Sequence, residues 1–208
     1  MEEDREKLIR VLIAEDQAMM RGALALLLGL ESDIDVVAEV GDGDAVVAEA
    51  AAVRPDVALL DIEMPNANGL DVCARLRDAQ PDCQVIVVTT FGRPGYLRRA
   101  MESGAKGFLV KDGPVEGLAD AIRSVTAGRT VIDPELASAA LSAGPNPLTA
   151  RERDVLRAAA DGSTAVQIAR TLHLSDSTVR NYLSSAIGKT QTQNRMAAIN
   201  VARGNGWL

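Results

Sequence analysis

Five short apolar runs alternate with amphipathic stretches through residues 1–127, and this alternation constrains the fold more than any other feature of the chain. The runs lie at 10–14, 36–40, 57–61, 84–89 and 107–110. Helical patterns fall near 18–30, 44–52, 70–79, 95–103 and 115–127. Alternating strand and helix of this kind imply a parallel sheet with helices on both faces and right-handed crossovers. Five such units fit the doubly wound, flavodoxin-like strand order 2-1-3-4-5, whose ligand crevice opens beside strands 1 and 3. Val57-Ala58-Leu59-Leu60 shows no polar alternation, as expected of a strand buried on both faces.

The ends of these strands carry the chemistry. The third stops at Asp61, and Pro65 and Gly69 then punctuate a turn. A lone aspartate there is ordinarily a cap or turn residue. The first strand, however, also ends in acid, Glu15-Asp16, so two buried strands deliver three carboxylates to one edge. At ~4 Å and an effective dielectric near 20, each pair repels by roughly 4 kcal/mol. A hard divalent cation with oxygen ligands relieves that repulsion, and Mg²⁺ is the natural choice. Strand four ends in Thr89-Thr90, which puts a hydroxyl at the rim. Strand five ends in Lys111, whose ammonium faces the acids.

Composition narrows the alternatives. Aromatic residues make up only 2% of the 208 positions, so the core must be aliphatic. The longest apolar run, residues 23–30, is far too short to span a bilayer, and residues 1–5 are charged rather than a signal core. A cytoplasmic protein without a membrane partner is expected. His173 is the sole histidine, which excludes metal sites built on two or more histidines. Cys73 and Cys83 lack metal-ligand spacing and read as buried thiols in a reducing compartment. The 22 Lys/Arg and 29 Asp/Glu are unevenly spread, 14 and 25 before residue 146 against 8 and 4 from there on. An acidic body joined to a basic end suggests that the C-terminal part meets nucleic acid.

Gly128, Pro134, Gly144, Pro145 and Pro147 interrupt the pattern and mark 128–147 as a linker, with a short helix expected at 134–141. A second domain follows at 148–208. Thr149 and Glu152 have capping-box spacing before a helix, and Asp161-Gly162 ends it. A short helix around Val166–Leu172, the turn His173-Leu174-Ser175 and a helix over 176–189 then form a helix-turn-helix, with a fourth helix at 195–205. Thr178, Arg180, Asn181 and Ser184 lie on the outward face of the third helix and suit phosphates and base edges of double-stranded DNA.

Taken together, Glu15-Asp16, Asp61-Ile62-Glu63-Met64-Pro65 with Gly69, Val88-Thr89-Thr90, Gly107-Phe108 and Lys111-Asp112 resemble the receiver of a two-component response regulator. Leu148-Thr149-x-Arg151-Glu152, Leu174-Ser175, Ser177-Thr178-Val179-Arg180 and Asn194-Arg195 resemble the LuxR-type helix-turn-helix of the NarL/FixJ class. The resemblance implies a CheY-like receiver over 1–127 and an all-α DNA-binding domain over 148–208. It implies Asp61 as phosphoacceptor for a sensor histidine kinase, and Mg²⁺ held by Glu15, Asp16, Asp61 and the Glu63 backbone carbonyl. Lys111 would pair with the acyl phosphate, Thr89 would bind a phosphoryl oxygen, and Phe108 would be the switching aromatic. Phosphorylation would promote a homodimer and sequence-specific DNA binding to regulate transcription, with RNA polymerase a further candidate partner. Such a protein is not an enzyme beyond catalysing its own phosphorylation and slow dephosphorylation.

Two other readings compete. An orphan regulator would bind DNA irrespective of phosphorylation, but it has little need of the full acid–Thr–Lys set. An aspartyl phosphatase would want a second aspartate two residues after the nucleophile, where Glu63 stands. One departure from the family pattern is expected to loosen the effector domain. Gly188-Lys189-Thr190-Gln191-Thr192 places threonines where apolar residues are usual, and Gly188 weakens the helix end by about 1 kcal/mol relative to alanine.

Overall fold

The computed structural model describes residues 8–90, 92, 94–111, 115–142 and 146–208. The acidic residues 1–5, Asp112 of the Lys111-Asp112 motif, and Gly144 and Pro145 of the expected linker lie outside the described residues. The chain divides into two compact units, Met1–Gly92 with Arg99–Ala137, and Ser138–Leu208 with Arg93–Arg98.

The first unit is a parallel sheet flanked by helices. In chain order it runs β1 (Ile9–Ala14), α1 (Ala18–Leu28), β2 (Ile34–Val40), a 3-10 turn (Gly43–Ala45), α2 (Val46–Val53), β3 (Val57–Leu60), α3 (Gly69–Ala79) and β4 (Gln84–Thr89). There follow α4 (Pro94–Glu102), whose residues up to Arg98 group with the second unit, β5 (Gly107–Val110), α5 (Val115–Thr126) and β6 (Val131–Ile132). The strand order is β2-β1-β3-β4-β5-β6, every pair parallel. The first five strands stand in the doubly wound order read from the sequence. The sixth is an addition: Gly128, at φ +79°, turns the chain after α5, and Val131 and Ile132 pair with Gly107 and Phe108. Two residues between a glycine and a proline are too few to show a period.

Burial follows the pattern of apolar residues. All four residues of β3 are buried, and Val11, Ile13, Val57, Leu59 and Ile86 pack with Ile122 of α5 on one face of the sheet. Aliphatic side chains supply this core, as the shortage of aromatics requires. On the other face Leu70, Val72, Cys73 and Leu76 of α3 are buried. Burial pushes the thiol of Cys73 up to about 11 and that of Cys83 up to about 12, so both are protonated apolar fillers at neutral pH.

After α6 (Pro134–Ser142) the second unit holds α7 (Ala150–Ala158), α8 (Ala165–Thr171), α9 (Asp176–Lys189) and α10 (Arg195–Gly204). Each of these four helices starts at a side-chain cap. Thr149 with Glu152 and Thr164 with Gln167 form capping boxes, while Ser175 and Asn194 cap α9 and α10. The tight turn between α8 and α9 places His173 at φ +54°, a left-handed conformation that a non-glycine residue adopts at a cost of about 1–2 kcal/mol. Val155, Leu156, Ile168, Val179, Ala186 and Ile199 form the core, closed by Trp207. Asn146 belongs to this unit: its amide donates to the Trp207 carbonyl at 3.1 Å and accepts from the Leu148 N–H at 2.9 Å.

Threonine in place of an apolar residue proves compatible with packing at the end of α9. Thr190 is buried, and its hydroxyl donates to the Ala186 carbonyl at 2.8 Å while meeting Thr192 Oγ1 at 3.0 Å. Lys189 reaches back to Glu152 on α7 at 2.8 Å, and Ser185 donates to the same carboxylate at 2.6 Å. Glu152 also caps the Thr149 N–H at 2.7 Å, so one buried carboxylate joins α7 to α9.

Candidate functional site

Strand register assembles the site. Ala14 pairs with Leu60, and the Asp61 N–H donates to the Ala14 carbonyl at 2.9 Å, so Glu15 and Asp61 leave adjacent strands at one level. Thr89 pairs with Val110, and the Lys111 N–H donates to the Thr89 carbonyl at 2.9 Å, which returns Lys111 to the same edge. Ligand oxygens of Glu15, Asp16 and Asp61 lie within 4.8 Å of one another. Lys111 Nζ sits 2.5 Å from Glu15 Oε2 and 3.1 Å from Asp61 Oδ2, the three side chains being 6%, 2% and 5% exposed. Asp16 is exposed and leaves the cluster open to solvent on its side.

The other oxygens are held by backbone. Glu15 Oε1 accepts from the Gln17 N–H at 3.2 Å, and Asp61 Oδ1 accepts from the Ile62 N–H at 2.7 Å. Burial alone would lower the pKa of Lys111, but the Glu15 and Asp61 carboxylates outweigh it and hold the ammonium above the ordinary lysine range. Three carboxylates against one ammonium leave the cluster formally short of two positive charges. An oxygen-only donor set with that deficit fits a hard divalent cation such as Mg²⁺.

Two residues shape this site for reasons the sequence pattern did not disclose. Arg21, on α1, donates from Nη1 to the Glu15 carbonyl at 2.7 Å and passes over Gly41, where a Cβ would stand 3.0 Å from that nitrogen. Gly69 opens α3 directly against Asp61: a Cβ there would lie 1.9 Å from the Asp61 carbonyl oxygen. Read as turn punctuation, Gly69 is in fact a contact surface between helix and strand end.

The remaining expected site residues are more dispersed. Thr89 is buried at the end of β4. Phe108 is fully buried in β5, and Glu63 lies on the exposed loop before α3. On α9, Arg180, Asn181 and Ser184 are exposed, as an outward face requires. Thr178 is half-buried, its hydroxyl 2.7 Å from Ser175 Oγ in the helix cap.

A parallel five-unit sheet bearing an acid–lysine cluster at its strand ends, followed by a capped helix-turn-helix, is the build of a transcriptional response regulator. Residues 11–123 match the response regulator receiver domain, and residues 146–202 match the bacterial regulatory proteins of the luxR family; the chain belongs to this family of response regulators. The transcriptional regulatory protein DesR of Bacillus subtilis (strain 168) is 44% identical over 201 residues, covering 97% of this chain and 100% of that one. The uncharacterized transcriptional regulatory protein YvfU of the same strain matches with the same identity and coverage. A solved structure of two RcsB dimers bound to two parallel DNAs shares the fold, with a TM-score of 0.70 at 22% identity over 95% of this chain and 99% of that one. Among the described residues no helix is long and apolar enough to cross a membrane.

Proposed function

We propose that Asp61 accepts a phosphoryl group from a sensor histidine kinase, and that the modified receiver pairs with a second copy and sets two α9 helices on a two-fold DNA site. The observation that carries this reading is the Asp61 carboxylate itself, buried at a strand end between two further acids and gripped by a lysine. In the transfer, an oxygen–phosphorus bond to the Asp61 carboxylate forms as the phosphorus–nitrogen bond to the kinase histidine breaks, and the imidazole departs. Mg²⁺ held by Glu15, Asp16, Asp61 and the Glu63 carbonyl would neutralise charge on the phosphoryl oxygens. The ion pair from Lys111 to Asp61 turns to a phosphoryl oxygen, which brings a second cationic group onto the new charge. Thr89 donates its hydroxyl to another of those oxygens, and Phe108 repacks with it. Such a change is a charge event that biases a two-state element.

Support for pairing lies on α1 and the turn that follows it. Met19, Leu26 and Leu30 are 90%, 76% and 81% exposed, beside an apolar groove of about 380 Å³ bordered by Leu24, Leu27, Leu118 and Ile132. Apolar residues so placed mark an interaction surface. Leu118 and Ile122 of α5 are buried against the sheet, so the exposed stripe beside the groove carries the proposed face. Two linked helix-turn-helix units gain avidity on a palindromic site without new base contacts. Arg180, Asn181 and Ser184 meet bases and phosphates, and Thr178 stiffens the helix start beneath them. The cytoplasm is where kinase and DNA are both within reach.

The test is incubation with acetyl phosphate and Mg²⁺. Intact mass should rise by one phosphoryl group in the wild type and stay unchanged in Asp61→Asn; equal modification of both would refute Asp61 as acceptor.

A further inference from the structure

The recognition helix carries a contact that its outward face alone does not explain. Asp176, in the first turn of α9, accepts from Arg180 Nε at 3.0 Å through Oδ2, and the same oxygen forms an ion pair with Nη2 at 2.9 Å. The other oxygen, Oδ1, is buried and has no hydrogen-bond partner. The side-chain bonds of this carboxylate among the described residues therefore go to Arg180 alone. Arg180 itself is 68% exposed, so the pair gains little as a stabilising surface ion pair. What it does fix is direction.

A guanidinium has five N–H donors in a rigid plane and can meet two acceptors along either of two edges. One edge pairs Nε with Nη2, and the other pairs Nη2 with Nη1. Asp176 occupies the first. The second, with both Nη1 hydrogens and one on Nη2, remains open to solvent. The natural double acceptor in the major groove is guanine, through O6 and N7.

We infer that Asp176 is a positioning residue for DNA recognition: it seals the Nε edge of Arg180 and presents the Nη1–Nη2 edge end-on to one guanine in each half-site. The inference rests on the reading that Arg180 faces DNA. Asp176 has a second effect of the same sign. Its negative charge near the phosphates penalises binding that lacks the guanine contact, so it trades general affinity for discrimination.

The experiment uses the full-length protein treated with acetyl phosphate and Mg²⁺, with duplexes randomised over about three helical turns as the probe. Bound sequences are read for wild type, Asp176→Asn, Asp176→Glu, Arg180→Ala and the Asp176→Asn/Arg180→Ala double variant, each first shown by circular dichroism to be folded. In the wild type one guanine per half-site is expected to stand out. Asp176→Asn should weaken that preference roughly tenfold while raising affinity for unrelated duplex. Asp176→Glu, which keeps the charge at helical i,i+4 reach, should hold the preference within about twofold. In the Arg180→Ala background, Asp176→Asn should change no base preference. Should Asp176→Asn strengthen binding to all sequences alike and leave the base profile intact, the residue is only a bulk charge and the inference fails. If Arg180→Ala alters neither base profile nor salt dependence, the reading of Arg180 as a DNA contact fails first, and this inference falls with it.

Discussion

Replacing Glu152 by glutamine should uncouple the recognition helix from α7, and the geometry sets the size of the effect. The carboxylate is 4% exposed, and it accepts from Lys189, Ser185 and the Thr149 N–H. Burial would raise its pKa, but the Lys189 ammonium, the Ser185 hydroxyl and the Thr149 bonds prevail and depress it to about 2. Relative to its ordinary value of 4.5, that difference corresponds to about 3 kcal/mol favouring the folded state at neutral pH. Lys189 is 36% exposed and water screens it, so about 2 kcal/mol is the expected loss in Glu152→Gln. At about 4–8 °C per kcal/mol for a domain of this size, the effector melt should fall by roughly 10 °C. Because the folded pKa lies below the unfolded one, this contribution is complete above about pH 5 and vanishes as pH falls towards 2. Trp207 is the sole tryptophan and packs in the effector core, so its fluorescence during urea unfolding reports that unit alone. The gap between wild type and Glu152→Gln should be widest at pH 7 and shrink to about a quarter of that near pH 2.5. An equal gap at both pH values would refute the argument from the ion pair.

Other consequences can be checked independently. Gly69→Ala forces a methyl into the Asp61 carbonyl oxygen, so the receiver should lose about 3 kcal/mol or more by circular dichroism melting and accept phosphoryl groups poorly from acetyl phosphate; a variant with wild-type melting would show the close approach to be soft. Leu26→Ser with Leu30→Ser should abolish phosphate-dependent dimers in sedimentation while leaving the monomer's melting unchanged, and persistent dimers would move the interface off α1. Lys111→Ala should leave Asp61 modifiable yet uncouple modification from DNA affinity; full activation by acetyl phosphate would remove Lys111 from the switch. Cys73 and Cys83 should resist alkylation at pH 8 until urea unfolds the receiver, because burial keeps both thiols protonated; rapid labelling of native protein would contradict that burial.

The sequence spoke most clearly where a residue's role is set by its place along one element. Val57–Leu60 announces a buried strand because nothing polar interrupts it, and Glu15, Asp61 and Lys111 fall together because each follows directly on a strand of known order. Thr149 and Glu152 likewise carry their spacing in plain view, though only three dimensions add Ser185 and Lys189 to the same carboxylate. Roles set by approach across space stayed hidden. Gly69 looks like any turn glycine until Asp61 is placed behind it, and nothing marks Arg21 as the residue that reaches Glu15. Leu118 and Ile122 belong to an apolar stripe of α5 that also holds Ala119, Ala121 and Val125, and the sheet covers that stripe.

The short β6 has a bearing on how copies of this protein can meet. Unpaired strand edges are templates for runaway association, and proteins blunt them with brevity, charge and proline. Here the sheet ends on one side in two residues stopped by Asp133-Pro134, and on the other in β2, which presents Asp35 and Glu39 to solvent. Neither border invites a seventh strand from a neighbour. The pairing proposed for the receiver would therefore fall to helices, where association stays finite and reversible.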